Sequence, residues 1–163
     1  MVHLPQEYVL LIGGKGPLKQ ELQELIDRLG LQERVKLLGF ISDTLKPAYF
    51  GACDVFCLSS TLKTEAYAIV QVEAMSLGRP IVATEIPGSG VAWVNAHQES
   101  GLNVPIEDAP ALAQAIQKIC QDPELWSSYS KGSRQRFFEV FTKDEMINQL
   151  IHIYTELLHP TIP

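Results

Sequence analysis

No apolar run in this 163-residue chain approaches the roughly 20 residues that span a bilayer. Met1 to Pro5 begins no signal peptide, so the chain reads as cytoplasmic. Basic residues are scarce, 13 Lys and Arg against 19 Asp and Glu, and the formal net charge is −6. That balance excludes a nucleic-acid groove and a broad surface for anionic lipid, since either requires clustered cations. Only three cysteines are present, Cys53, Cys57 and Cys120. They cannot all pair within the chain, and no second Cys or His pair completes a zinc site with Cys53-x3-Cys57, so they read as reduced core thiols. His3, His97, His152 and His159 lie far apart without metal-ligand spacing. No Asp-x-Asp motif, internal repeat or low-complexity tract occurs, and neither a metal nor a cofactor is expected. What remains, 46% hydrophobic and 20% charged residues, suffices for one well-cored domain over 1–163 and is too little for two.

Apolar runs closed by turn residues alternate with helical periodicity. Tyr8 to Ile12 reads as a buried strand ended by Gly13-Gly14. Pro17 then opens a helix whose face is Leu18, Leu22, Leu25, Ile26 and Leu29, until Gly30 stops it. Gly13-Gly14-Lys15-Gly16 lacks the spacing of a P-loop, and by itself it predicts a tight turn. Val35 to Leu38 is the next strand. Ser42, Asp43 and Thr44 offer caps for a short helix to about Ala52, with Pro47 in its first turn. Val55 to Leu58 is a third buried strand, followed by the polar loop Ser59 to Thr64. Further on, Ile81 to Ala83 predicts a strand. Asp108 caps a helix over Ala109 to Cys120, and Asp122-Pro123 begins another, running to about Phe138. Thr142-x-x-Glu145 is a capping box for a final helix, 142–159, whose apolar stripe is Met146, Ile147, Leu150, Ile151, Tyr154, Leu157 and Leu158, with Pro160 ending it. The alternation predicts a parallel α/β sheet covered on both faces, with its core over 8–141.

The chemistry concentrates between Glu65 and Thr84. Glu73 follows Glu65 by eight positions, and the residues between pass from loop into a helix carrying Ile69, Val70, Val72 and Met75. Gly78 ends this helix, Pro80 cannot continue it, and a strand follows. The helix N-terminal amides near Ala68 to Val70 are free to meet an anion, with one carboxylate just before them and another inside the helix. A diphosphate between hydroxyl-bearing groups suits that layout, as in a sugar nucleotide.

This stretch resembles the Glu-x7-Glu signature of retaining GT-B glycosyltransferases of family 4, glycosyl transferases group 1. Its usual form is Glu-Gly/Ser-Phe-Gly, four residues, then Glu-Ala-Met-Ala-x-Gly-x-Pro-Val-Val-Ala. Tyr67 replaces the Phe, and Ala68 replaces a glycine that permits closer backbone approach to phosphate. The resemblance implies that Glu65 contacts the donor sugar as the catalytic carboxylate and that Glu73 holds the ribose. Ala66, Tyr67, Ala68, Ile69 and Val70 would line the diphosphate and sugar. Gly14 and Gly16 match the family's Gly-x-Gly-Pro near the nucleotide, and Phe40 and Ile41 are expected to meet the base through their main chain. Thr84 to Gly90 resembles the Pro-Gly-x-Gly loop at the sugar end of the cleft.

The implied fold is a Rossmann-like doubly wound parallel sheet, the C-terminal half of a GT-B fold, lacking the family's first strand and helix. The implied function is donor binding in a retaining glycosyltransferase that moves a hexosyl group from a UDP-, GDP- or ADP-sugar to a glycan or lipid-linked acceptor. Two alternatives are a non-catalytic sugar-nucleotide-binding module and a nucleotide-sugar epimerase of GT-B fold. The N-terminal acceptor domain and the two cations that hold the donor diphosphate are missing, so the chain alone is expected to transfer no sugar. Lys15, Lys63 and Arg79 are the nearest cations, and none matches the missing motif. In a sheet of order 3-2-1-4-5-6, loss of the first strand leaves a slot ~9.6 Å wide between Tyr8–Ile12 and Val55–Leu58. Those strands are expected to close up and pair, or to receive a strand from another polypeptide, and the open edge favours self-association.

Overall fold

A computed structural model describes residues 1–158. Among the described residues, five strands alternate with five helices and two further helices follow: β1 (Leu10–Gly13), α1 (Lys19–Arg28), β2 (Val35–Gly39), α2 (Lys46–Ala52), β3 (Phe56–Leu58), α3 (Ile69–Ser76), β4 (Ile81–Glu85), α4 (Val91–Val94), β5 (Gly101–Pro105), α5 (Ala109–Gln121), α6 (Pro123–Arg136) and α7 (Lys143–Leu158). A π-helical segment, Phe137–Phe141, joins α6 to α7. Pro160 lies outside the described residues.

The core forms around β4. Alternate side chains of a strand point to opposite faces. Ile81 and Ala83 accordingly pack with Ala74 and Met75 of α3 and Val91 and Val94 of α4. Val82 packs on the other face with Leu102 and Val104 of β5, Ala115 and Ile119 of α5 and Tyr129 of α6. Both parallel neighbours are in register, Phe56 opposite Ile81 on one side and Ile81 opposite Gly101 on the other. Gly101 is required there, because a Cβ at that position would lie 1.8 Å from the Ile81 carbonyl oxygen. The expected strand at Ile81 to Ala83 is thus confirmed, extended to Glu85.

Helix ends mostly follow their local chemistry. Asp108 accepts from the Ala111 amide at 2.8 Å, and Asp122 accepts from Glu124 and Leu125 at 3.0 Å. α3 closes with Gly78 at φ 65°. There the Gly78 amide donates to Met75 and the Arg79 amide to Ala74, the paired bonds of a Schellman turn. Three expected helix starts differ in detail. Pro17 lies before α1, whose first turn is built on Leu18. The Ser42–Thr44 segment makes a turn but gives α2 no side-chain cap, because the Asp43 carboxylate is engaged by Lys46. Thr142 accepts from the Glu145 amide at 3.3 Å, while the Glu145 carboxylate accepts from Gln149 one turn onward, so only half of the capping box forms.

Larger corrections concern burial and sheet closure. The parallel strands form two sheets, β1–β2 and β3–β4–β5. The direct pairing of Tyr8–Ile12 with Val55–Leu58 does not occur, and the residues before Tyr8 make turns rather than a strand. Polar ties hold the halves instead. The Arg34 guanidinium donates to the carbonyls of Leu4, Pro5 and Tyr8, and Gln117 of α5 donates to the His3 carbonyl. β3 has only three residues, all of them paired with β4 on one side, and offers only a short ladder on its other edge. β1 is consequently half-exposed rather than buried, with Leu11 47% and Val9 61% accessible. In α1 only Ile26 is buried. The apolar stripe of α7 is exposed from Met146 to Leu158.

Candidate functional site

Three loops meet at the carboxyl ends of β3 and β4 and at the start of α3. Thr84, at the end of β4, donates its hydroxyl to the Ser60 carbonyl and so fixes the base of the loop after β3. The Glu65 amide donates to the Leu62 carbonyl at 3.0 Å, and the Glu65 carbonyl accepts from the Ser89 hydroxyl. The Gly90 amide donates to the Ala66 carbonyl at 2.8 Å. A Cβ on Gly90 would stand 2.8 Å from that same oxygen, so glycine allows the Pro87–Gly90 loop to lie directly on the Glu65 loop. A concavity of about 570 Å³ lined by Glu85, Ile86, Pro87, Gly88, Ser89 and Ala92 opens beside it. A larger one, along α6 and Gln98–Glu99, shares no residue with these loops.

Ala68 is buried and takes φ 58°, ψ 68°, the left-handed region that its methyl group disfavours. That turn delivers the chain into α3, where the first intrahelical bond runs from the Gln71 amide to the Ala68 carbonyl. The amides of Ile69 and Val70 precede it and point out of the helix end, where the dipole favours an anion. Glu73, one turn later, accepts at Oε1 from Lys46 Nζ at 3.0 Å, and Lys46 also reaches Asp43 at 2.8 Å. The Lys46 hydrogen bond and charge hold the Asp43 carboxyl below its usual range. Hydrogen bonds to Asp43 and then Glu73 hold the Lys46 ammonium above its own.

The remaining expected residues gather at the ends of β1 and β2. The Gly14 amide donates to the Gly39 carbonyl at 2.7 Å, and Gly14 and Gly39 take φ 144° and 69°. Ile41 packs on Gly13, where a Cβ would meet its Cδ1 at 2.6 Å. Phe40 is exposed, with Lys15 Nζ 5.2 Å from its ring centre. Gly16 lies in open space beyond. The fold therefore assembles two groups, Gly14, Phe40 and Ile41 on one sheet and Glu65 to Val70 on the other, and the Lys46–Glu73 pair bridges them.

Of the other cations singled out, Arg79 is structural. It donates to the Cys53 carbonyl at 3.0 Å and lies over the Trp126 ring. Tyr67 joins Trp93 and Phe141 in an aromatic cluster, and Arg136 stacks on Trp93 and Phe141. Neither this cluster nor Lys46 was expected. The available signal for Lys46 was a cation at a helix start, where the dipole opposes it and a carboxylate partner is required. Cys53, Cys57 and Cys120 are free thiols, and burial pushes Cys57 up to about 11. Among the described residues no group of three or more His, Cys, Asp or Glu is placed to hold a metal ion. No described helix is long and apolar enough to cross a membrane.

Comparison with known proteins agrees with this geometry. The chain is 34% identical over 150 residues to the O-antigen chain mannosyltransferase C of Escherichia coli, covering 92% of this chain and 40% of that protein. It is 32% identical over 136 residues to the D-rhamnosyltransferase WbpZ of Pseudomonas aeruginosa, covering 83% and 35%. It superposes on the crystal structure of Anabaena HepE in complex with UDP with a TM-score of 0.83 at 26% identity, over 94% of this chain and 42% of the other. A complex of HepE with UDP-glucose gives 0.82 over the same shares. The chain thus spans about two fifths of the length of these relatives, with the α/β architecture of a C-terminal GT-B half. Residues 2–136 match the glycosyl transferases group 1 profile, and the chain belongs to that family.

Proposed function

We propose that this chain is the donor-binding domain, a single unit over 1–163, of a cytoplasmic retaining glycosyltransferase that transfers a hexosyl group from a nucleotide sugar to a glycan or lipid-linked acceptor. The observation that carries the reading is the placement of Glu65 and Glu73 on either side of the α3 N-terminus, with the Ser89–Gly90 loop fastened onto Glu65 and Ala66. UDP and UDP-glucose bound to Anabaena HepE support a sugar-nucleotide ligand. In this reading the diphosphate lies at the Ile69 and Val70 amides, Glu73 accepts from the ribose hydroxyls, Glu65 faces the donor sugar, and the base meets the main chain of Phe40 and Ile41. As the glycosyl bond breaks, negative charge grows on the departing diphosphate, and amides already aimed at it lower the barrier without reorganising. The full reaction needs an acceptor-binding domain and further cations on the diphosphate, so this chain alone binds donor without transferring sugar.

The test is a thermal-shift and calorimetric panel of UDP-, GDP- and ADP-sugars. A ligand at 100 times its Kd adds about 2.7 kcal/mol of stability. Glu73→Ala is expected to weaken both the free nucleoside diphosphate and the sugar nucleotide about tenfold, whereas Glu65→Ala weakens only the sugar nucleotide. Equal losses for both ligands in both variants would remove the division of roles. A panel with no stabilising donor would remove the reading itself.

A further inference from the structure

Lys46 is the first residue of α2, where the unpaired amides of the helix end oppose a cation. Two carboxylates hold it there. Asp43, three residues earlier, is 93% exposed, while Lys46 and Glu73 are only 32% and 36% exposed, so Asp43 is the solvent-side anchor and Glu73 the sheltered one. The bond to Glu73 crosses 27 residues of sequence and joins α2 to the middle of α3.

A carboxylate offers about four acceptor directions on its two oxygens, and Lys46 takes one on Oε1. A pair of vicinal hydroxyls still finds room on the rest of the group. A free glutamate side chain samples several rotamers, and binding must restrict them; one already held avoids that cost. We propose that Lys46 is a positioning residue for nucleotide recognition, holding Glu73 Oε1 so that the carboxylate is presented to the ribose hydroxyls. This rests on the reading of Glu73 as the ribose carboxylate.

The experiment is calorimetric titration of the chain with UDP and GDP, and with their 2′,3′-dideoxy counterparts, in wild type, Lys46→Met, Lys46→Arg, Glu73→Gln and Lys46→Met/Glu73→Gln. Melting temperatures are recorded alongside to separate binding from folding. Lys46→Met is expected to weaken the better-binding ribonucleotide about tenfold, leave its dideoxy form within about twofold, and be largely restored by Lys46→Arg. The double variant should be no weaker than Glu73→Gln alone, because the two side chains act as one unit. Wild-type binding that Glu73→Gln does not weaken, or no binding at all, would overturn the ribose reading and this inference with it. If Glu73→Gln weakens only the ribonucleotide while Lys46→Met leaves it unchanged, or weakens ribo and dideoxy forms alike, the reading of Glu73 stands and the role of Lys46 falls.

Discussion

Gly132 sits inside α6, where alanine is the better helix former by about 1 kcal/mol. Packing reverses that preference, because a Cβ there would lie 2.0 Å from the Glu99 carbonyl oxygen and 2.8 Å from its carbon. These are backbone atoms of the turn leading to β5, and the neighbouring Ser133 hydroxyl donates to the Arg79 and Ser100 carbonyls. Gly132→Ala is therefore expected to destabilise the fold by about 2 kcal/mol, the range of overpacked cores. A urea melt of the variant no less stable than wild type would show that α6 can lift off this turn. Some residue-scale positions were readable from the chain: Glu65 before α3, Glu73 within it and the Pro87–Gly90 loop each carry a local pattern. Lys46, Arg34 and the Tyr67–Trp93–Phe141 cluster were not, since their partners are brought to them only by packing between distant elements.

At the scale of elements, capping and burial part ways. Asp108 and Asp122 cap α5 and α6 as their positions predict, because a cap uses groups within three residues of it. The face a helix buries is a different matter. α7 has the apolar stripe of a core helix, yet Met146, Leu150, Ile151, Tyr154 and Leu157 are all at least half-exposed. Among the described residues its main contact is with the π-helical segment. A helix of 16 residues without an apolar partner is marginal in water. Ending the chain at Thr142 is thus expected to move the melting temperature by no more than about 3 °C and to reduce self-association. A loss of cooperative melting in that truncation would mean that α7 supports the core.

At the scale of the molecule, the two sheets differ in burial. Ile81, Val82 and Ala83 of β4 are fully buried between the two core clusters, whereas Val9 and Leu11 on and beside β1 are largely accessible. Native-state hydrogen exchange reports local opening, which is easier where few apolar contacts cover the ladder. The amides of Leu11 and Ile12 are expected to exchange at least about tenfold faster than those of Val82 and Ala83. Equal protection across both sheets would indicate one cooperative unit and a closed edge in solution.

Element types, the strand–helix alternation, the Glu-x7-Glu spacing and the family resemblance were all legible in the amino-acid order, because each is written in short local patterns that need no partner from elsewhere in the fold. The division into two sheets, the exposure of β1 and α7, and the Lys46–Glu73 bridge were decided by tertiary structure. An apolar periodicity states that a face seeks burial, and the same pattern is written whether or not a partner surface is at hand. Whether Tyr8–Ile12 pairs with Val55–Leu58 depends on what the turns before Tyr8 meet, the Arg34 guanidinium on one side and Gln117 on the other, and those contacts exist only once the chain has folded.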